Sequence, residues 1–372
     1  MRIVALTGPG VDERCRSWGT ARGVEVEVRR EDPGTALRSL AGADAVLMAP
    51  GVDAFDDRTL AAAVAGAGVP VVAMDPGNLR KKIDPPSTPV GQACARVIYG
   101  RGDDTAGYAL IHLALRGRGT WSTIAYGEGP DQVGDLWMPS AAETGSAPAP
   151  VVVLLHGGFW YHAWERDLMD GVAADLAARG LAAWNLEYRR VGAGGGWPAT
   201  GVDVADGLDH VASMGVGAGL DPDRVVLVGH SAGAQLALRI TARREAAVRP
   251  RLVVGLASIC DLMAARRRGT GGRSVDHLVA EAHSPKAALH DASPTEHLPL
   301  GVAQLLVHAD DDRHVPAAQS RKYVAAARKA GDQVDFLDVR SGGHFGLIDP
   351  ASPAWADVAR RITGILGNDD DR

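Results

Sequence analysis

Val225-Val226-Leu227-Val228-Gly229-His230-Ser231-Ala232-Gly233-Ala234-Gln235 is the stretch on which the reading of this chain turns. Its first four residues form a continuous apolar run of the kind found in strands buried on both faces. A helical pattern follows from Gln235 to Arg243. Between strand and helix lies Gly-x-Ser-x-Gly, a turn so tight that its flanking residues must be small. Its sharpness lifts the Ser231 hydroxyl above the sheet, with the N-terminus of the next helix behind it. Working outward, further apolar strands are expected at Asp135–Met138, Val151–Leu155, Ala182–Leu186, Leu252–Leu256, Gln304–Val307 and Val334–Val339. Strands separated by helical segments imply an α/β fold with a parallel sheet covered on both faces.

A serine hydroxyl is a weak nucleophile and needs a base, itself oriented by an acid. Downstream, Leu305–His308 reads as a strand running into Ala309-Asp310-Asp311-Asp312-Arg313-His314-Val315-Pro316, which puts an acid on a strand-end loop. Seven histidines follow Ser231, and only His344 comes after a strand and a Gly-Gly turn (Gly342-Gly343) near the end of the chain. The strand Val151–Leu155 runs directly into His156-Gly157-Gly158-Phe159-Trp160. A Gly-Gly turn exposes backbone N–H groups, and with the N–H of Ala232 these could meet a developing oxyanion. His156 reads as a brace for that turn.

On HGGFW (156–160), GHSAG (229–233), HADDDRHVP (308–316) and GGHF (342–345), the chain from about 121 to 366 resembles α/β-hydrolases of the esterase, lipase and arylformamidase group. YGEGPDQVGDLWMP (126–139) and NLEYRRVGAGGGWPA (185–199) agree with it. The resemblance implies an acyl-enzyme on Ser231, His344 as base and Asp312, four positions after the strand-closing histidine, as its acid. It implies an oxyanion hole from Gly158, Phe159 and Ala232, and neither metal nor organic cofactor. Phe159 stands where the group usually has a third glycine. Trp160, His230 and Phe345 are expected to line the substrate pocket, and the Arg-bearing segment Asp261–His290 to form a short cap over it. Esters and formamides require the same machinery, so the motifs leave open a carboxylic ester hydrolase, an arylformamidase and an acyl transferase or cyclase. A non-catalytic scaffold is the alternative from another class.

The first half has a different texture. Strands are expected at Arg2–Leu6, Val24–Arg29, Ala45–Met48, Val71–Met74 and Arg96–Tyr99, with helices at Arg58–Ala67 and Ala106–Leu115. Glycine-bearing turns follow three of these strands, at Gly8-Pro9-Gly10, Pro50-Gly51 and Pro76-Gly77-Asn78. LTGPG (6–10), GVEVEVRR (23–30), VLMAPGVDAFDDRTLAAAV (46–64), VPVVAMDPGN (69–78) and GYALIHLAL (107–115) are similar to type II 3-dehydroquinate dehydratase, which has a flavodoxin-like fold. That enzyme's base is a tyrosine, and no tyrosine precedes Tyr99. Its acid is a histidine at the place held here by Asp75, and the first histidine is His112. Without both, the dehydration has no proton path. The resemblance therefore implies a retained fold without its reaction, with boundaries at 1–117 and 121–367 for the two domains. Because the dehydratases assemble, a homo-oligomer formed through this domain is expected.

Composition bounds the remaining classes. The chain has 372 residues and a net charge of −6 without a basic stripe, which argues against a nucleic-acid partner. It contains no apolar run of membrane-spanning length. The opening MRIVALTGPG reads as a strand rather than a leader. Cys15, Cys94 and Cys260 are too few and too scattered for a disulfide framework or a zinc site. A soluble, cytoplasmic protein acting on a small molecule is expected.

Overall fold

The computed structural model describes residues 1–6, 25–29, 36–37, 40, 43–49, 57–75, 89–94, 96–99, 105–116, 120–140, 147–243 and 245–367. The chain divides into two compact units, Met1–Arg118 and Gly119–Arg372.

The first unit contains β1 (Arg2–Leu6), β2 (Glu25–Arg29), β3 (Ala45–Met48), α1 (Arg58–Ala65), β4 (Val71–Asp75), α2 (Pro89–Ala93), β5 (Arg96–Tyr99) and α3 (Thr105–Arg116). The strands form a parallel sheet in the order β2-β1-β3-β4-β5, the flavodoxin-like arrangement. Ile3, Ala5, Leu47, Val72, Met74 and Ile98 pack against Leu110 and Leu113 of α3. The first helix begins where Asp57 Oδ1 accepts from the N–H groups of Thr59 and Leu60. This satisfies amides that have no partner inside the helix. Its last residue is Ala65, two short of the Ala67 that the sequence pattern suggests, and Gly66 caps it. The three glycine-bearing turns lie outside the described residues.

The second unit contains β6 (Trp121–Ala125), β7 (Val133–Trp137), β8 (Ala149–Leu155), α4 (Asp170–Ala177), β9 (Ala182–Leu186), α5 (Ala199–Met214), β10 (Leu220–His230) and α6 (Ala232–Thr241). It continues with β11 (Leu252–Leu256), α7 (Leu262–Arg268), α8 (Ser274–Leu278), α9 (Pro285–Ala292), β12 (Ala303–Ala309), α10 (Ala318–Lys329), β13 (Val334–Val339) and α11 (Pro353–Gly367). Its eight strands run in the order β13-β12-β11-β10-β8-β9-β7-β6. Pairing is parallel from β13 through β9 and antiparallel at β9–β7 and β7–β6. This is the mixed sheet of an α/β-hydrolase. Its edge strand β6 is not among the sequence expectations; only Trp121 and Ile124 are half-buried and Ser122, Thr123 and Ala125 are exposed, which breaks the strand alternation and reads like a loop.

Strands β8 and β10 sit side by side at the centre with every residue of Val151–Leu155 and Val225–Val228 buried. Because β8, β10, β12 and β13 point the same way, the turns after them emerge at one edge of the sheet, where open α/β sheets hold their ligands. Towards the antiparallel edge, Trp184 of β9 is wholly buried with its ring over Gly134 of β7, and its Nε1–H donates to Gly207 O of α5 at 2.9 Å. A Cβ at Gly134 would stand 2.4 Å from that ring, so the glycine makes room for the indole.

Trp184→Ala should therefore lower stability by about 3–5 kcal/mol through the cavity it leaves. An unchanged urea midpoint would contradict the packing described.

Candidate active site

The elbow after β10 is strained by design of its neighbours. Ser231 has φ 55° and ψ −115°, a conformation costly for a residue with a side chain. Its N–H donates to Leu256 O at 2.7 Å, which ties the turn to β11. A Cβ at Gly229 would lie 2.2 Å from Gly233 O, and one at Gly233 would lie 2.3 Å from both Leu155 O and His156 O. Glycine is thus the only residue that lets the elbow lie against the end of β8. Helix α6 starts at Ala232, three residues before the sequence pattern, because Ser231 itself is the residue at its N-cap. Ser231 Oγ is buried and has no hydrogen-bond partner.

His344 lies in the loop after β13 and is buried. Its Nδ1–H donates to Asp312 Oδ2 at 2.7 Å. The loop is pinned at two further points. Asp311 accepts from Gly343 N at 2.8 Å and from Gly342 N at 3.3 Å, and His230 Nε2–H donates to His344 O at 3.0 Å. Since His230 precedes Ser231, this last bond brings the imidazole loop to the elbow; the two rings are 4.6 Å apart.

The three aspartates after β12 have separate tasks. Asp310 forms a surface ion pair with Arg321, Asp311 holds the Gly-Gly turn, and Asp312 is turned inward with its side chain out of solvent. Asp312 Oδ1 also accepts from His314 N and Val315 N, at 2.8 and 2.9 Å. Burial would raise the Asp312 pKa, but hydrogen bonds from His308 and His344 hold it far below the usual carboxylate range. For His344, burial outweighs the opposing attraction of Asp312 and depresses the pKa below the ordinary imidazole value. Burial, with His344 next, drives the His230 pKa well down.

The turn after β8 is braced from behind. His156 Nδ1–H donates to Gly157 O at 2.7 Å, its Nε2 lies 2.8 Å from Glu187 Oε1, and its ring stacks on Tyr188 at 4.3 Å. Because the peptide is planar and trans, fixing Gly157 O also fixes the Gly158 N–H on the opposite side. Glu187 is buried, which would raise its pKa, but Arg190, His156 and Arg166 together hold it ionised. Gly158 (φ 112°), Phe159 (φ 51°) and Trp160 (φ 63°) all take the left-handed region. Among the described residues nothing accepts from the N–H groups of Gly158, Phe159 or Ala232. They lie on the two turns that meet where Gly157 approaches Ser231, and free amides of this kind can stabilise negative charge on an oxygen.

The expected pocket is rearranged. Trp160 is wholly buried in the core, its Nε1–H donating to Gln235 Oε1 at 2.9 Å, and is no part of an open wall. A bulky aromatic pattern near a motif cannot by itself distinguish a wall from the packing beneath it. His230 is likewise buried, behind the elbow. Phe345 is half-buried, stacked on Trp164 at 5.8 Å and met edge-on by His314 at 5.5 Å. The segment Asp261–His290 folds as α7, α8 and the start of α9, with Leu262, Ala265, Val275 and Leu278 buried. It docks on the β8 turn: Tyr161 Oη lies 2.8 Å from His277 Nδ1, and a Cβ at Gly271 would strike the Phe159 ring. Arg266 pairs with Asp276 on the surface. Trp164 is one of the aromatics that gather near the motifs in the sequence, Asp311 and His314 lie inside the quoted HADDDRHVP, and Glu187 lies inside the quoted NLEYRR, but their contacts are set only by the fold. Among the described residues no cluster of three or more His, Cys, Asp or Glu could hold a metal ion, and no helix is long and apolar enough to cross a membrane.

A family model described as BD-FAE matches residues 135–326. The chain is 27% identical over 246 residues to esterase LipC of Mycobacterium tuberculosis, covering 61% of this chain and 60% of that protein. It is 24% identical over 275 residues to the probable isoprenylcysteine alpha-carbonyl methylesterase ICME of Oryza sativa subsp. japonica, covering 67% and 64%. The chain thus spans less than two thirds of the length of these relatives. Among solved structures, esterase B from Lactobacillus Rhamnosis has a TM-score of 0.60 at 17% identity, over 71% of this chain and 93% of that one. A truncated carbohydrate esterase from gut microbiota has a TM-score of 0.54 at 19% identity, over 68% and 99%. At these identities the structural likeness is one of fold.

The geometry separates the aspartates sharply. Asp312→Asn should lower kcat by about 10³–10⁴-fold, whereas Asp310→Asn, which loses one surface ion pair, should stay within about threefold. The opposite ranking would move the acid elsewhere. If His344 is the proton acceptor it must be neutral, and because its pKa is depressed kcat/KM should then be level at pH 7. It should fall only as the pH drops below about 6.5, the ordinary imidazole value. An acid limb above that value would contradict the burial described.

Proposed function

The chain belongs to the BD-FAE family, whose model spans more than half of it, and from that premise we propose that it is a serine hydrolase cleaving a carboxylic ester of a small aryl or apolar metabolite. The observation that carries the reading is a buried, unpartnered Ser231 hydroxyl on a strained turn, with the loop of His344, whose imidazole is bonded to a buried carboxylate, tied to the adjacent His230. Ser231 Oγ attacks the ester carbonyl while its proton passes to His344 Nε2. Asp312 fixes the tautomer through Nδ1 and stabilises the imidazolium that forms. The oxyanion is met by the N–H of Ala232 and those of Gly158 and Phe159. His344 then protonates the leaving alkoxide, and water, deprotonated by the same imidazole, releases the acid from Ser231.

The names of the curated relatives, an esterase and a methylesterase, favour an ester over an amide. The aromatic side chains next to these turns, Phe159 and the stacked Trp164 and Phe345, favour a flat or apolar acyl group. Phe159 in the HGGFW turn is the one feature that favours the second reading, an arylformamidase. For the Met1–Arg118 unit we propose a dehydratase-like fold without its reaction, supported by the lack of any tyrosine before Tyr99 and by His112 being buried on α3.

The test is kcat/KM on short aryl esters and on N-formylkynurenine, with Ser231→Ala as the blank. Ester turnover abolished in the blank is expected. A formamide preference of about a hundredfold, worth about 2.7 kcal/mol in transition-state binding, would make the protein an arylformamidase instead. Activity surviving in Ser231→Ala would remove the serine from the chemistry.

A further inference from the structure

Asp312 has a second histidine behind it. His308, the penultimate residue of β12, is wholly buried. Its Nε2 lies 2.9 Å from Val315 O and 3.2 Å from Asp312 Oδ2. Both partners are acceptors, so Nε2 is the nitrogen that carries hydrogen. Its Nδ1 lies 2.7 Å from Oγ of Ser320, a buried residue in the first turn of α10. The Ser320 hydroxyl can donate to that nitrogen, which keeps the hydrogen on the Nε2 side.

From this directed chain we propose that His308, oriented by Ser320, is a positioning residue for the reaction: it donates to the same Asp312 oxygen that receives His344 and so aims the carboxylate at the imidazole. The proposal rests on the triad reading above. Asp312 Oδ1 is held by two backbone amides, His314 N and Val315 N, while Oδ2 is shared between the two rings. Two amide donors on one oxygen, His344 on the other, and the His308 N–H shared between that second oxygen and Val315 O fix both the place and the plane of the carboxylate. The His308 bond to Val315 O also holds the loop from which one of those amides comes. None of these groups can meet substrate, because His308 and Ser320 are buried beneath the loop. Their contribution therefore acts through Asp312 and belongs in the chemical step, with substrate binding untouched.

The experiment compares His308→Leu, which removes both ring nitrogens, with His308→Gln, which returns an amide donor near the position of Nε2. Ester turnover is measured alongside the far-downfield proton NMR signal expected of His344 Nδ1–H. His308→Leu should lower kcat by about 10- to 100-fold with KM within about twofold, and the downfield signal should move upfield or broaden away. His308→Gln should restore most of kcat together with the signal. A His308→Leu variant with near-normal kcat and an unmoved signal would overturn the proposal. So would a His308→Gln variant as impaired as the leucine, since ring shape rather than the donor would then matter. Ser320→Ala deletes one hydroxyl and provides the test should the leucine variant not fold. A kcat lowered by about 3- to 10-fold at constant KM is expected there, and an unchanged kcat with an unchanged signal would overturn the proposal. Asp312→Asn separates the two readings: if that variant is fully active, the assignment of the acid fails independently of His308.

Discussion

The close approach of two backbones at the centre of the sheet governs the rest of this molecule. Gly233, in the first turn of α6, lies so near the end of β8 that a single methyl would stand 2.3 Å from the carbonyl oxygens of Leu155 and His156. Gly157 returns the constraint, since a Cβ there would press on His230 and on the Ser231 side chain. The Ser231 turn and the HGG turn are therefore interlocked through main chain, whose position does not depend on rotamers. Everything else in the site is arranged around that lock. The cap reaches Phe159, the His344 loop is tied down through His230, and the carboxylate is presented from β12.

Charge is handled by burial as much as by pairing. Two clusters of ionised and hydrogen-bonding groups lie inside the second unit, one around Glu187 behind the HGG turn and one around Asp312. Each carboxylate would be expensive alone in such surroundings and is kept ionised by several donors at once. The two clusters do different work. Glu187, with His156, Arg166 and Arg190, stiffens a turn whose consecutive left-handed residues would otherwise relax. Asp312 faces the His344 imidazole, whose pKa burial lowers against the attraction of that carboxylate.

The strain in the site is localised in a telling way. Phe159, Trp160, Ser231 and Ala257 are the non-glycine residues at positive φ among those described. Three of them belong to the two interlocked turns, and Ala257 directly follows the Leu256 carbonyl that receives the Ser231 N–H. Such backbone persists only where the surroundings over-determine it. Here the buried Trp160 indole bonded to Gln235, the Gly233 contact and the β11 tie supply that over-determination.

The sequence by itself determined the alternation of strands and helices, the flanking of Ser231 by a buried strand and a helix, and the order of serine, acid and histidine along the chain. These are legible because they depend on local periodicity and on residues, glycine above all, that are obligatory where the chain turns sharply. Tertiary structure alone decided which aromatic residue is sealed in the core and which is not. Trp160 and Phe345 look alike as sequence, yet one is wholly buried against Gln235 and the other is half-buried and stacks on Trp164. It alone divided the labour among Asp310, Asp311 and Asp312, since three adjacent carboxylates differ only in what they face. Contacts between residues distant along the chain, such as Glu187 with His156 or His230 with the His344 carbonyl, leave no periodic trace. They exist because the parallel strands bring their ends to one edge, and which side chains meet there is set by packing.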